Sequence, residues 1–379
     1  MKIVKRSACL IRNISIDFLS LIVKTVYFLF KSRDGCANDQ ADHFDALRIR
    51  EKQQFEKLVD RQNLKIKPGC IRKRNCPNCG CNSYVSFFLT QDLFDYVKCK
   101  NCGFVYALQV LTFETRCNLY GGMTGGGVTE VCCASAEVES DVRRFRFPLK
   151  RILKYQRSGT LLDIGCGVGN FLVQARECGF SVSGIETHVE FKEVARSKFN
   201  IHVDLGLFEE MDLPENRFEV VTMWETLEHI HDPKSSLLRV FKILSPKGIL
   251  AISVPNVANF GFLLLREYSG HRGGEHINFF SPFTLSRMLT DCGFKILEHY
   301  TTGNSNWKAI MNLLDLELGR IYCYENVGKE INRIAPSPFF SKAEAFFLRK
   351  IVIPFIAGWE QRTGKGSGIL MLAQKKDPF

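Results

Sequence analysis

The sequence predicts an α/β protein built on a doubly wound, mostly parallel sheet, with a small cysteine ribbon ahead of it. Three observations carry that expectation. From about residue 140, short apolar runs alternate with amphipathic stretches of helix length. A glycine-rich turn, Leu161 to Gly169 (LLDIGCGVG), follows an apolar run and precedes a helical pattern. Two Cys-x-x-Cys pairs, Cys76/Cys79 and Cys99/Cys102, stand at the spacing of metal knuckles.

Taken in order, residues 1–69 form a basic, partly amphipathic helical leader. Residues 1–75 carry 17 Lys and Arg against 8 Asp and Glu, most of the chain's net charge of +11. Such a start suits an anionic membrane face, nucleic acid or a phosphorylated substrate, or else is a solvated helix with no charged partner. Ile14 to Phe30 is apolar, but Asp17 and Lys24 interrupt it, short of the ~20 uninterrupted residues of a span. Lys2, Lys5 and Arg6 imitate a signal-peptide start, and no clean cleavage pattern follows. An amphipathic helix resting on a membrane or on the protein itself is the expectation, with residues 1–35 as the peripheral contact to anionic lipid. Residues 38–66 read as helix through Phe44, Leu47, Phe55 and Leu58, stopped by Pro68 and Gly69. The 15 cysteines are odd in number and scattered, which argues against a secreted disulfide scaffold and for the cytoplasm.

Residues 70–118 form the cysteine module. Four thiolates from Cys76, Cys79, Cys99 and Cys102 suit a tetrahedral Zn²⁺, and the 19 residues between the pairs suffice for an antiparallel ribbon. Gly80 and Gly103 permit the tight turn after each knuckle. Four thiolates leave no open coordination position, so this metal is structural. Iron is the lesser metal reading and unbound thiols the plain alternative. Lys65, Lys67, Arg72, Lys73 and Arg74 make a basic approach to the first knuckle, and Tyr84, Phe87, Phe88 and Tyr96 are either stacking groups for RNA or ribbon core.

A glycine-rich linker, 119–139, leads to the body at 140–379. Strands are expected near Thr160–Ile164, Ser181–Ile185, Phe218–Met223, Ile249–Val254, Lys295–Tyr300 and Gly368–Ala373, with a short one near His202. Ser281 and Pro282 mark a helix start. An insertion at 301–364, with helical patterns at Trp307–Leu318 and Lys342–Ile353, precedes the last strand.

Glycines let the loop turn tightly under a nucleotide-like ligand, and Glu186, 23 residues after Asp163, ends the next strand where a carboxylate accepts from ribose hydroxyls. A nicotinamide or an adenosyl cofactor satisfies this pattern, so a dinucleotide oxidoreductase competes. Asp163 favours the second, because a carboxylate there repels a pyrophosphate and suits a cationic methionyl group.

On these residues the chain resembles the class I S-adenosylmethionine-dependent methyltransferases, in the branch that carries an N-terminal zinc-binding module and acts on small molecules or sugars. The resemblance covers roughly residues 70–300. It rests further on Trp224-Glu225-Thr226-Leu227-Glu228-His229-Ile230-His231-Asp232-Pro233, on Leu244 to Gly248 ahead of a strand ending at Pro255 and Asn256, and on His276-x-x-Phe279-Phe280-Ser281-Pro282-x-x-Leu285. It implies a Rossmann-like methyltransferase sheet and cofactor contacts from Asp163, Gly165, Cys166, Gly167, Gly169, Glu186 and Glu225, with Leu207 to Glu210 beside the adenine. It also implies that Glu228 and His229 face the methyl-transfer pocket, and that Tyr120 in the linker meets the substrate. The leader, the linker and the 301–364 insertion depart from the family pattern.

Methyl transfer from a sulfonium needs an aligned nucleophile, and a base where the acceptor holds a proton. His229 is the first candidate base, Glu228 its orienting partner or a substrate ligand, and His276 the second candidate. Each has a structural alternative, a hydrogen bond beneath the pocket or a loop support. The leading functional reading is O- or C-methylation of a small polar acceptor, such as a sugar, nucleotide-sugar or lipid-linked glycan precursor. An RNA base methyltransferase and a non-catalytic cofactor- or membrane-binding protein are the alternatives.

Overall fold

Residues 58–60, 65–89, 94–112, 114–115, 135–259, 262, 276–302 and 363–376 are described by the computed structural model. The chain divides into two units, one of residues 1–40, 257–271 and 301–367, the other of 41–256, 272–300 and 368–379. The second unit holds the sheet, the cysteine module and the candidate site. The expected leader contact at 1–35, Tyr120 with its glycines, and the helical patterns inside 301–364 lie outside the described residues.

The module begins with a hairpin of β1 (Val59–Asp60) and β2 (Lys65–Ile66), in which Val59 faces Ile66. This corrects the helix expected to run through residue 66. The backbone N–H of Lys67 donates to the Leu58 carbonyl (2.9 Å), and β-branched Val59 and Ile66 favour the extended pairing over the local helical pattern. β3 (Ile71–Lys73) then leads into the first knuckle. β4 (Tyr84–Leu89) and β5 (Asp95–Cys99) form the expected ribbon between the cysteine pairs, and β6 (Val105–Ala107) adds a third strand. β7 (Gln109–Leu111) returns to pair with β3.

Helix α1 (Ser135–Ile152) enters the body. The strands follow as β8 (Gly159–Ile164), β9 (Phe180–Glu186), β10 (Val203–Leu205), β11 (Phe218–Trp224) and β12 (Leu244–Pro255). They alternate with α2 (Asn170–Glu177), α3 (Val189–Phe199) and α4 (Pro233–Ile243). After β13 (Asn278–Phe279) come α5 (Pro282–Asp291), β14 (Phe294–Thr302) and β15 (Gly368–Lys375). The seven-stranded sheet has the order β10-β9-β8-β11-β12-β15-β14, with β15 antiparallel to β12. All seven strands expected from the sequence are present, and β12 is longer than expected because Leu244 to Gly248 joins it through a register shift opposite β11. α5 starts with a capping box, in which the Ser281 hydroxyl accepts from the Thr284 N–H and Pro282 occupies the first turn.

Helices cover both faces, as a two-sided parallel sheet requires. Phe145, Leu149 and Ile152 of α1 pack with Phe171, Leu172 and Ala195 of α2 and α3 on one face. On the other, Leu237, Val240, Leu285 and Met288 of α4 and α5 share one continuous core with Val97, Phe104 and Tyr106 of the module. β13 pairs antiparallel with β6 (Phe279 opposite Val105), so the His-x-x-Phe-Phe-Ser-Pro segment of the body is the fourth strand of the module's sheet. The module is thereby built into the body's own core.

Candidate active site

The site lies at the carboxyl ends of β8, β9 and β11, where the strand order reverses and open α/β sheets bind ligands. The turn after β8 adopts left-handed backbone at Gly165, Gly167 and Gly169 (φ 74°, 54° and 88°), a conformation costly for any residue with a β-carbon. At Gly165 a β-carbon would also stand 2.5 Å from the Thr226 hydroxyl, so glycine there lets the β11 loop close on the turn. The Thr226 hydroxyl donates to the Ile164 carbonyl (3.1 Å), joining the two loops.

Glu186, at the end of β9, is held from several sides. One carboxylate oxygen accepts from the Gly167 N–H (2.9 Å) and the other from the N–H groups of Thr187 (2.6 Å) and His188 (3.1 Å). Burial pushes its pKa up, but the His188 imidazole (3.0 Å) and these donors outweigh it and hold the carboxyl below its usual range. Asp163, 1% exposed beneath the turn, accepts from the Thr222 hydroxyl (2.6 Å), and burial raises its pKa to about 8. The Cys166 thiol packs under the loop against Gly184 of β9. A buried, ionised Glu186 beside the glycine turn fits the ribose of an adenosyl ligand, whereas Asp163, buried and keeping its proton at neutral pH, adds no charge toward a cationic tail, contrary to the expectation from sequence.

The loop after β11 carries the second group. Glu225 has left-handed backbone (φ 51°), its N–H donates to the Ser253 carbonyl (2.9 Å), and its carboxylate accepts from the Ser253 hydroxyl. Leu227 to His229 form a single 3₁₀ turn. Glu228 is fully buried (0% exposed), and no donor from the described protein reaches either carboxylate oxygen. Burial, with the nearby Glu225 charge second, pushes its pKa well above the usual carboxylate range. The rings of His229 and His276 meet edge to face with centroids 4.7 Å apart. Ligand atoms of Glu228, His229 and His276 all lie within 4.8 Å of one another, a donor set that handles a proton and is also of a kind that accepts a divalent cation. The structure thus brings together the three residues named from sequence as catalytic. Trp224, at the end of β11, is buried in the core against Phe145 and Phe171, edge-on to the latter at 4.9 Å.

In the module, the sulfurs of Cys76 and Cys102 are 3.5 Å apart and those of Cys79 and Cys99 3.6 Å, with all four within 4.8 Å. A tetrahedral zinc with Zn–S bonds of about 2.3 Å has S–S edges of about 3.8 Å, close to this arrangement. Gly80 and Gly103 are left-handed (φ 72° and 74°), and their N–H groups donate to the Cys76 and Cys99 carbonyls (2.8 and 3.0 Å), closing two equivalent knuckles. Phe88 and Tyr96, considered as RNA-stacking groups, are buried in the ribbon core with Phe279, and Arg74 of the basic approach is turned inward.

Four residues that shape this site were not assigned to it from sequence: His188, Thr222, Asn278 and Tyr96, the last read there as an RNA-stacking group or ribbon core. His188 lies two residues from Glu186 and was within reach of a local reading. Tyr96 donates to the His276 carbonyl (2.7 Å), and Asn278 to the Ile230 carbonyl (2.6 Å), across separations that no local pattern encodes.

The fold and site define a class I S-adenosylmethionine-dependent methyltransferase fold. Residues 139–299 match a family model described as "Methyltransferase domain". Relatives include a "Ubiquinone biosynthesis O-methyltransferase" of Hydrogenovibrio crunogenus, 27% identical over 154 residues, covering 37% of this chain and 63% of that protein. A protein of the same description from Rickettsia typhi is 22% identical over 214 residues, covering 52% and 82%. The chain spans about three-fifths to four-fifths of the length of these two relatives. Among solved structures, an S-adenosylmethionine dependent methyltransferase from Mesorhizobium loti covers 61% of this chain and 97% of its own, at 16% identity and a TM-score of 0.41.

Proposed function

We propose that the protein transfers a methyl group from S-adenosylmethionine to a hydroxyl of a small polar acceptor. The observation that carries this reading is the Glu228–His229–His276 cluster, set beside the glycine turn by the Thr226 bond to Ile164. The cofactor supplies an activated sulfonium methyl. On the chain's side, Glu186 binds ribose hydroxyls, the backbone from Gly165 to Gly169 cradles the cofactor with Asp163 supporting the turn from beneath, and Glu225 favours its cationic end. His229 removes the acceptor's proton and His276 orients the hydroxyl, with the buried, uncharged Glu228 carboxyl within 4.8 Å of both rings. Proximity and alignment of acceptor and sulfonium supply much of the remaining rate.

A sugar, nucleotide-sugar or lipid-linked glycan precursor is the acceptor class first in line. The relatives described as ubiquinone biosynthesis O-methyltransferases favour oxygen as the methylated atom. Burial of Phe88 and Tyr96 weighs against RNA. A structural Zn²⁺ held by Cys76, Cys79, Cys99 and Cys102 completes the reading, and metal analysis is expected to find one zinc per chain. Among the described residues no helix is long and apolar enough to cross a membrane.

Methyl-labelled S-adenosylmethionine, incubated with the purified protein and fractionated cell extract, tests the proposal. Label is expected in a small hydroxylated acceptor. Label confined to RNA, or none despite bound cofactor, overturns it.

A further inference from the structure

We propose that Arg74 is a positioning residue that ties both halves of the Glu228–His229–His276 cluster to the cysteine module, so that the module sets the geometry of the proton-handling groups. The inference rests on the reading of that cluster as the acceptor site. It begins with an unusual set of partners. Arg74 follows β3, two residues before Cys76, and its half-buried guanidinium meets four acceptors with no carboxylate among them. Nε donates to the Ala107 carbonyl (3.0 Å), Nη1 to the His231 carbonyl (3.0 Å), and Nη2 to the Ile277 carbonyl (2.5 Å) and the Asn278 side-chain oxygen (3.1 Å). The Tyr106 ring lies against its face, 5.6 Å from centroid to guanidinium carbon.

Those acceptors belong to three segments: β6 of the module, the loop that follows Glu228 and His229, and the segment that follows His276. A planar fork with five donors can hold three segments at once, which a lysine ammonium cannot do. The segments are also bonded to one another. The Ala107 N–H donates to the Ile277 carbonyl (2.9 Å), and the Ile277 N–H to the Glu228 carbonyl (3.0 Å). Asn278 accepts from Arg74 and passes its own N–H to the Ile230 carbonyl (2.6 Å). Tyr96, fully buried in the module, donates to the His276 carbonyl (2.7 Å). Residues 227–231 and 276–278, far apart in the chain, therefore face each other through bonds that converge on one guanidinium. Arg74 touches neither ring of the pair and acts only through the backbone that carries them.

The test uses the full-length, zinc-loaded chain labelled at histidine, with the substitutions Arg74→Ala, Arg74→Lys and Tyr96→Phe. Ring resonances of His229 and His276 are compared with those of His202, an exposed reporter at the far edge of the sheet bonded to Asp204. In Arg74→Ala and Arg74→Lys the His229 and His276 signals are expected to shift while His202 stays in place. Affinity for S-adenosylmethionine is expected to stay within about threefold and zinc content at one per chain. On any acceptor the unsubstituted protein methylates, kcat is expected to fall at least tenfold at constant KM for the cofactor, with Lys restoring little of the loss. Tyr96→Phe is expected to shift His276 alone. Unmoved histidine signals in a folded Arg74 variant, or a rate loss matched by an equal loss of cofactor affinity, overturn the proposal. If Arg74→Ala does not fold, Arg74→Lys and Tyr96→Phe are read by the same criteria. The histidine signals need no turnover, so a failed methyl-transfer reading shows as an inactive unsubstituted protein with the shifts intact.

Discussion

Two ends of one site differ in how fully the chain satisfies its own polar groups. At the β8–β9 end every oxygen of Glu186 meets a donor, and Asp163 is bonded to Thr222. At the β11 end Glu228 is wholly buried without a donor from the described protein, beside two imidazoles that touch edge to face. A buried carboxyl costs on the order of several kcal/mol if charged, and the raised pKa of Glu228, beside the Glu225 carboxyl, shows how the fold avoids that cost, by keeping the proton. The contrast teaches a division of labour. One end is a finished cradle that shapes a fixed ligand; the other holds titratable groups in a poised state, as groups that exchange a proton with an acceptor must be.

Substitutions that strike only one end should separate these roles. The largest effect is expected from His229→Ala, which should slow methyl transfer by about 10²- to 10⁴-fold while leaving cofactor affinity near its original value. Single-turnover rates beside equilibrium binding check this, and an equal loss of binding would dissolve the division. Next in size is Cys99→Ser or removal of metal by a strong chelator. Because the module and body share one core, the thermal midpoint of the whole domain is expected to drop by on the order of 10 °C in a single transition. Two separate transitions would show the module to be independent.

A smaller effect concerns pH. Asp163 and Glu228 have folded-state pKa values above their ordinary ones, so between those values the native state binds more protons than the unfolded state. Stability is therefore expected to fall as pH rises from about 4 toward about 8, the raised value of Asp163. Asp163→Asn, which keeps an oxygen for Thr222, should flatten that slope in urea denaturation series. Glu298 makes the opposite case, since bonds from Arg151 first, then Lys154 and Tyr155, hold its pKa down to about 2. Its contribution is present above the ordinary carboxylate value and lost as pH falls toward 2. Glu298→Gln, on β14 and away from both ends of the site, should lower the midpoint by no more than about 2 °C.

The legible parts of the molecule were the local ones. The glycine turn, Glu186, the cysteine knuckles and the Ser281–Pro282 helix start each encode their geometry within a few residues. The strands were readable because apolar runs bounded by turn signals report burial directly. Three features were not readable. The hairpin at Val59 and Ile66 opposes a local helical pattern. The Cys166 side chain turns under the loop because Gly184, a strand away, leaves room for it. The bonds that Arg74 and Tyr96 make to the body join residues 157 to 204 positions apart, and the basic and aromatic run they belong to reads locally as an RNA-binding surface. Composition identifies such residues, but only packing decides whether they face inward.

The most direct measurement of the division of labour is calorimetric titration of S-adenosylmethionine into Glu186→Ala and Glu228→Gln, both in the zinc-loaded chain. Glu186→Ala is expected to weaken binding by about 10- to 100-fold, the worth of charge-assisted hydrogen bonds to a ligand, while Glu228→Gln binds within about threefold of the unsubstituted protein. A Glu228→Gln protein that loses as much affinity as Glu186→Ala would contradict the account, because it would place the buried Glu228 in the cofactor's cradle and not with the acceptor.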